Sequence, residues 1–384
     1  MSDKPYIYFD YAAATPIDTE VLQSMEPYFA ETFFNPSALY AGAREAKKAL
    51  QEARERVSRT IGAKPSEITF VSGGTESANL AITGVMSGFP DATMITSAIE
   101  HDAVLEPAKR TGRVKTVSVD TTGRVSVQDI VNLIDDSTVL VSIMYVNNEV
   151  GTVQPIKELC DAVSVIRKNR QRNGIHTPLW VHTDACQAPQ YLDITVGSLG
   201  VDLMTLNGGK IFGPKQSGVL YHKTGVTLQP QILGGGQEFG MRSGTENVAY
   251  CVGFSVALER ATTLRGKVTR NVTELAQYFR QSLEANIPDY VFNGHKKLRV
   301  PSTVHVTFSG KDNERILFAL DDGGVYAASG SACSASNEES SHVLKAMGLS
   351  DAEARASIRF TIGKYTTKEE IDKAVKLLKK AVNA

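Results

Sequence analysis

The feature that most constrains the fold is the alternation of short apolar segments with amphipathic helical segments over residues 44–221. The first helical segment, 44–61, carries one apolar stripe, formed by Ala46, Ala49, Leu50, Ala53, Val57 and Ile61. Apolar runs typical of buried strands lie at 68–71, 93–96, 114–119, 138–146, 179–183, 201–206 and 217–221. Because helical crossovers join parallel strands, the pattern predicts an α/β fold around a mainly parallel sheet.

The chain changes character after about residue 250, where two long helical stretches, a few strands and a last helix follow. A Thr366-x-x-Glu369 capping box is predicted to begin that last helix. Because one hydrophobic core stops growing at about 250–300 residues, a chain of 384 residues favours two domains. We expect an arm at 1–15 that packs with the small domain, a large domain at 16–258 and a smaller α+β domain at 259–384.

The composition excludes several classes of protein. The 41 basic and 42 acidic side chains give a net charge of −1, which argues against direct nucleic-acid binding. No apolar run reaches the roughly 18–20 residues that a membrane span needs, and the start lacks the apolar core of a secretory signal. The four cysteines show no CxxC spacing, so we expect reduced thiols, no metal site and a cytoplasmic protein.

Two segments carry polar residues just after apolar strands. Lys210 follows Gly208 and Gly209, where partial desolvation lowers the pKa of a lysine and favours Schiff-base chemistry, although a surface lysine is the commoner outcome. Asp184 ends the strand WVHTD, and Gln187 follows three residues later. Ligands bind at such carboxyl ends, so Asp184 suits pairing with a cationic ring nitrogen, and a helix N-cap is the alternative.

Two further segments join a strand to a helix. SGGTES at 72–77 places Gly74 and Thr75 where backbone N–H groups can hold a phosphate, and a plain capped turn is the alternative. His101 follows the strand ATMITS at a predicted helix start, which suits either ring stacking and proton transfer or a structural role.

Cys333 lies among Gly, Ser and Ala in AASGSACSASNEESS at 327–341, without the apolar neighbours of the other three cysteines. That setting predicts an exposed thiol on a mobile loop, available as a nucleophile. Arg359 lies within the apolar strand SIRFTIG, so it requires an anionic partner. A substrate carboxylate held by a bidentate pair and a structural Asp or Glu are both compatible with it.

Together these residues resemble the cysteine desulfurases of the NifS/IscS type, in the class V aminotransferase branch of the fold-type I pyridoxal phosphate enzymes. The resemblance covers the chain in order, through FDYAAATP, NPSALYAGAREAKKAL, SGGTESANLAI, EHDAVL, MYVNNEVGTVQPI, HTDACQ, GPKQSG, GGGQEFGMRSGTEN, SGSAC and SIRFTIGKYT. It implies a large domain with a mainly parallel seven-stranded sheet between helices and a smaller α+β C-terminal domain.

The resemblance also implies roles for cofactor-binding residues. Lys210 matches the lysine that bonds to pyridoxal 5'-phosphate, Asp184 the partner of the ring nitrogen, and Gln187 the contact to the ring hydroxyl. His101 matches the catalytic histidine that stacks on the ring. Phosphate or neighbouring cofactor contacts match Gly74, Thr75, Asn148, Asn207 and Thr245, and Thr245 matches a contact donated by a second subunit, which implies a homodimer.

For the substrate, Asn148 and Arg359 match the residues that hold the carboxylate of L-cysteine, and Cys333 matches the residue that accepts its sulfur. The implied reaction converts L-cysteine to L-alanine and passes a persulfide to an acceptor protein of iron–sulfur cluster assembly or tRNA thiolation. A selenocysteine lyase, another class V enzyme and a non-catalytic sulfur-assembly partner remain alternatives.

The sequence departs from the family pattern next to the predicted cofactor lysine. Asn207 and Gly209 stand where the family usually has Ser and His, which alters two contacts near the cofactor while Lys210 remains. Tyr40 replaces a common His, and Cys186 stands between Asp184 and Gln187, where we expect it to be packed rather than catalytic.

Overall fold

The computed structural model describes residues 6–330 and 340–383. The strands of this part are β1 (Ile7–Tyr8), β2 (Ile68–Val71), β3 (Thr93–Ser97), β4 (Val114–Val117), β5 (Thr138–Ser142), β6 (Trp180–Asp184), β7 (Leu203–Asn207), β8 (Gly218–His222), β9 (Tyr290–Phe292), β10 (Thr303–Phe308), β11 (Val325–Tyr326) and β12 (Ser357–Thr361).

The α-helices of the same part alternate with these strands. They are α1 (Thr19–Met25), α2 (Pro27–Ala30), α3 (Ala41–Ile61), α4 (Gly74–Ser87), α5 (Asp102–Arg110), α6 (Val127–Leu133), α7 (Ile156–Arg172), α8 (Val196–Leu199), α9 (Val248–Thr263), α10 (Arg265–Asn286), α11 (Asn313–Asp322), α12 (His342–Ala346), α13 (Asp351–Arg355) and α14 (Lys368–Asn383). None of the described helices combines the length and apolarity that a membrane span requires.

A seven-stranded sheet in the order β2-β8-β7-β6-β5-β3-β4 forms the centre of the fold. Its pairs are parallel except those of β8, which runs antiparallel to both β2 and β7. Successive side chains point to opposite faces, so Leu203 packs with α4 and α5 while Met204 packs with α3 and α9. Helices therefore cover both faces, and the predicted fold-type I architecture with a mainly parallel seven-stranded sheet is confirmed.

The C-terminal region has its own sheet and hydrophobic core. Strands β9, β10 and β12 form an antiparallel sheet in the order β12-β10-β9, against which α10 and α14 pack. The N-terminal segment joins this core, because β1 pairs in parallel with β11 and Phe9 is fully buried against Phe279 and Phe360. This packing places residues just after Phe9 between the C-terminal sheet and the large sheet.

The last helix begins one residue later than the sequence pattern suggested. The reciprocal hydrogen bonds of a capping box join Thr367 and Glu370, whereas Thr366 accepts a hydrogen bond from the Gly363 N–H. Thr366 is buried, so its hydroxyl serves the preceding turn and the next threonine caps the helix. The buried face of α14 is the predicted one: Ile371, Ala374, Val375, Leu378 and Val382.

Candidate active site

One cavity of about 200 Å³ collects most of the predicted site residues at the carboxyl ends of β6 and β7. Its lining includes Gly74, Thr75, His101, Asn148, Asp184, Gln187, Asn207, Lys210 and Arg359. Thr245 lines a neighbouring cavity of about 240 Å³ instead, together with Ser72 and Arg242. Cys333 lies outside the described residues.

Lys210 ends a short 3-10 turn, Gly208–Lys210, directly after β7. The turn is held by Asn207, whose Oδ1 accepts a hydrogen bond from the Gly209 N–H. Lys210 Nζ lies in the cavity wall and donates to the carbonyl oxygens of Ala12 at 2.9 Å and Ala13 at 2.7 Å. Burial lowers the pKa of Lys210, so the nucleophilic amine is populated at a lower pH than in an exposed lysine. The residue is therefore not a surface lysine.

The two glycines before Lys210 differ in the space around them. A Cβ on Gly208 would lie 2.2 Å from Ser217 Oγ and 2.9 Å from the Pro214 carbonyl oxygen. A Cβ on Gly209 would meet its nearest neighbour, Asn207 Oδ1, at 3.4 Å, which is ordinary contact. The position where the family usually has His thus has room for a side chain, whereas Gly208 is required by close packing.

We expect Gly208→Ala to lower the free energy of unfolding by about 1–3 kcal/mol, the usual cost of overpacking a buried site. Gly209→Ala is the matched control and is expected to change it by less than about 1 kcal/mol. Urea unfolding of the two variants and the wild type measures the difference. Equal losses of stability would show that Gly208 is not packed as described.

Asp184 is the last residue of β6 and lines the cavity, and one of its carboxylate oxygens accepts a hydrogen bond from a neighbouring backbone N–H. Its Oδ1 accepts a hydrogen bond from the Cys186 N–H at 2.9 Å, so it holds a turn and does not cap a helix. Gln187 Nε2 donates to the Ala12 carbonyl at 3.0 Å, the same oxygen that Lys210 contacts. Cys186 is buried beside Asp184, and burial raises the pKa of its thiol well above the usual value.

The first turn of α4 forms another wall of the cavity. Gly73 has φ +115°, which lets the chain turn from β2 into a helix that begins at Gly74. A Cβ on Gly74 would come within 2.9 Å of Cys186 Sγ and 3.3 Å of Asn207 Nδ2. The first N–H groups of a helix lack intrahelical acceptors, so this open end, with the Asn207 amide nearby, suits an anion such as phosphate.

His101 has the structural role that its sequence position allowed, and its ring also reaches the cavity, where stacking and proton transfer stay predictions. It is the N-cap of α5, where its Nδ1 accepts a hydrogen bond from the Ala103 N–H at 3.0 Å. The ring also lines the cavity. Because Nδ1 accepts, the neutral ring carries its proton on Nε2. The capping contact therefore fixes both the position and the tautomer of a ring at the cavity edge.

Arg359 in β12 is 1% exposed and already has partners within the protein. Its Nη2 donates to Asp10 Oδ1 at 2.7 Å, and its Nη1 donates to the Asn148 backbone carbonyl at 3.0 Å. Its Nε is buried and has no hydrogen-bond partner within the described residues. The structural carboxylate partner considered from the sequence is thus present, and of the three guanidinium nitrogens only Nε is without a partner among the described residues.

Several contacts at the site were missed from the sequence. They come from the segment FDYAAATP, which belongs to the family resemblance but was given no role. Asp10 binds Arg359, the Ala12 carbonyl binds Gln187 and Lys210, and the Ala13 carbonyl also binds Lys210. Two of these residues act through backbone carbonyls, which residue type does not reveal. The sequence signal for this segment is a carboxylate, Asp10, followed by the run of small residues Ala12 to Ala14, which lets the backbone pass close to other groups.

Comparison with known proteins identifies the chain's relatives. The aminotransferase class-V family model matches residues 7–374. The chain is 41% identical to the cysteine desulfurase IscS of Dictyoglomus turgidum, covering 99% of this chain and 95% of that relative. It is 37% identical to cysteine desulfurase IscS 1 of Archaeoglobus fulgidus, covering 97% and 95%.

Solved structures agree with these relatives. A NifS-like protein superposes with a TM-score of 0.90 at 33% identity over 98% of this chain and 99% of that one. A structure described as SspA in complex with cysteine gives a TM-score of 0.82 at 34% identity over 94% of this chain and 100% of that one. The chain therefore belongs to the class-V aminotransferase family, within its branch of IscS- and NifS-like cysteine desulfurases.

Proposed function

We propose that this protein is a pyridoxal phosphate-dependent cysteine desulfurase that converts L-cysteine to L-alanine and transfers the sulfur, as a persulfide on Cys333, to an acceptor protein. The observation that carries the proposal is the single cavity that brings together Lys210, Asp184, the first turn of α4 and Arg359. A lysine with a lowered pKa, a carboxylate, an anion cradle and a buried cation are the groups that this chemistry needs.

The residues of the cavity fit pyridoxal phosphate, the cofactor of the family. A Cβ at position 74 would crowd Cys186 Sγ and Asn207 Nδ2, so a glycine lets the first turn of α4 lie close to them. The N-terminus of α4 would bind the phosphate, with Thr75 and Asn207 beside it. Asp184 would keep the ring nitrogen protonated, and His101 would stack on the ring. Gln187 donates through Nε2 to Ala12, and its side chain would contact the ring hydroxyl.

The remaining groups would act on the substrate. Arg359 lines the cavity and would donate to the carboxylate of L-cysteine, with Asn148 at the same wall. When bound, the cofactor supplies an electron sink for the carbanion at the substrate Cα. Lys210 Nζ, held by the Ala12 and Ala13 carbonyls, would remove and return the Cα proton.

The sulfur-transfer step is assigned to Cys333. Its thiolate would attack the sulfur of the substrate, so that an S–S bond forms while the C–S bond breaks. The electron pair of that bond stays with the carbon fragment, which takes up protons and leaves as alanine. The acceptor of the persulfide sulfur is proposed to be a protein of iron–sulfur cluster assembly or of tRNA thiolation.

The first test is alanine and sulfide formation from L-cysteine in the presence of a reductant, together with the visible absorption of the purified protein. We expect a bound-cofactor band and equal amounts of alanine and sulfide. A 2-oxo acid product would favour an aminotransferase, and turnover of L-selenocysteine alone would favour a lyase. Absence of both the band and alanine would indicate the non-catalytic alternative.

We further propose that the active form is a homodimer in which Thr245 contacts the cofactor of the other subunit. The placement of Thr245 in a cavity separate from Lys210 within one chain supports this. Subunits with Lys210→Ala and subunits with Thr245→Ala are each expected to be weakly active as homodimers. Their hybrid dimer would contain one intact site, because the Lys210→Ala subunit supplies Thr245 to its neighbour.

The hybrid is therefore expected to recover about half of the wild-type rate, since one of its two sites is complete. The two variants are mixed in equal amounts, unfolded and refolded, and each variant treated alone is the control. About half of the refolded dimers are hybrids, so the mixture as a whole is expected to reach about a quarter of the wild-type rate. A hybrid no more active than its parents would place Thr245 in the site of its own subunit or outside the site.

A further inference from the structure

The turn that leads into α4 is held from outside the cavity by one arginine, Arg242. Its Nε donates to Glu76 Oε1 at 2.9 Å, and its Nη2 donates to Ser72 Oγ at 2.9 Å. Glu76 closes the arrangement, because its Oε2 accepts a hydrogen bond from the Ser72 N–H at 2.8 Å. Three side chains thus fix the residues on either side of Gly73 and Gly74.

The charges of this arrangement bear on anion binding. Glu76 lies in the first turn of α4, and partial burial opposes its ionisation, but hydrogen bonds from Arg242 and Ser72 lower its pKa overall. The ionised carboxylate would repel a phosphate at the same helix end. The positive charge of Arg242 offsets that negative charge. The two side chains are only 25% and 21% exposed, so solvent screens their attraction incompletely.

Arg242 does not line the cavity of Lys210 and Asp184; it lines the neighbouring cavity with Ser72 and Thr245. We infer that Arg242 is a positioning residue for the phosphate of the cofactor, acting through Ser72 and Glu76 on the first turn of α4. The inference rests on the proposed function, since it requires that pyridoxal phosphate binds in this cavity.

The test compares pyridoxal phosphate with pyridoxal, which lacks the phosphate. In Arg242→Gln we expect the dissociation constant of pyridoxal phosphate to rise about tenfold, as for groups that orient ligand-binding residues elsewhere. The constant for pyridoxal is expected to stay within about twofold. Arg242→Lys keeps the charge but lacks the planar pair of nitrogens that contact Glu76 and Ser72, so an intermediate value is expected.

Arg56→Gln is the matched control, because Arg56 pairs with Glu259 at 3.4 Å on the distant contact between α3 and α9. It is expected to leave both constants unchanged. Thermal melting of each cofactor-free variant checks the fold. If Arg242→Gln does not fold, Ser72→Ala replaces it, because it removes the hydrogen bond from Arg242 to Ser72 and keeps the one to Glu76. For Ser72→Ala we expect a smaller rise that is again specific to pyridoxal phosphate.

Two results would overturn the inference: an unchanged constant for pyridoxal phosphate in Arg242→Gln, or equal losses for both ligands. The inference would also be wrong if Arg242→Gln did not weaken pyridoxal phosphate binding further in a Thr245→Ala protein. Arg242 would then act through Thr245 and not through α4. If the wild type binds neither ligand, the proposed function fails first, which separates the two failures.

Discussion

Replacing Cys333 with alanine is expected to lower alanine formation from L-cysteine by about 10³-fold or more, the scale on which loss of a nucleophile acts. Bound cofactor is expected to be retained, because the groups proposed to hold it, among them Lys210 and Asp184, are left unchanged. Alanine formation measured with a reductant, and the mass of the protein after one turnover with L-cysteine, give the result. The wild type is expected to gain one sulfur atom and Cys333→Ala none.

The other three cysteines are poor candidates for the acceptor. Cys160, Cys186 and Cys251 are all buried free thiols. Burial raises the pKa of Cys160 to about 12 and also raises those of Cys186 and Cys251, so few thiolates form at neutral pH. Only Cys333 has sequence neighbours that are small and polar.

Cys160→Ala is the matched control, since Cys160 lies in α7 within the core and lines neither of the two cavities described. It is expected to keep the alanine rate at some cost in stability. Persulfide formation in Cys333→Ala but not in Cys186→Ala would transfer the acceptor role to Cys186, which lies beside Asp184 in the cavity wall. Equal alanine from wild type and Cys333→Ala would favour direct elimination of sulfur.

Several of the predicted site residues lie at or just after the carboxyl ends of strands of the large sheet. Asp184 ends β6, Lys210 lies three residues after the end of β7 at Asn207, and Gly74 lies three residues after the end of β2. The carboxyl ends of neighbouring parallel strands lie at one edge of the sheet, so local patterns sufficed to bring Asp184 and Lys210 together. The assignment of their roles came from the family resemblance and stays a prediction.

The residues that escaped sequence analysis act over long distances or through the backbone. Lys210 Nζ contacts a carbonyl 198 residues earlier, and Asp10 pairs with Arg359 across 349 residues. Neither the pairing of β1 with β11 nor these contacts leaves a local pattern, because each depends on how the N-terminal segment crosses the C-terminal sheet. Arg242 escaped for the same reason, since its partners lie in a turn 166 and 170 residues away.

The other large effect is expected from Lys210→Ala. The Lys210 amine lies in the cavity wall, where it donates to two carbonyl oxygens, and it is the proposed general base. Removing a general base costs about 10²–10⁴-fold in rate. Loss of the proposed covalent link between Lys210 and the cofactor would add to this, so we expect alanine formation to fall by at least about 10³-fold. The bound-cofactor band is expected to shift, because the cofactor then binds without a bond to the protein.

Lys215→Ala supplies the control, since Lys215 lies five residues later in the same segment and is exposed. It is expected to change neither the rate nor the absorption. In the wild type, the rate should rise with pH as Lys210 loses its proton. The midpoint of this rise is expected below the ordinary pKa of lysine, because burial favours the uncharged amine.

If Lys210→Ala keeps the wild-type rate, the base must be another group of the cavity. His101 would then have to act through Nε2, because its Nδ1 accepts the Ala103 N–H. A rate loss with an unshifted band would instead show that the lysine moves the proton without bonding to the cofactor.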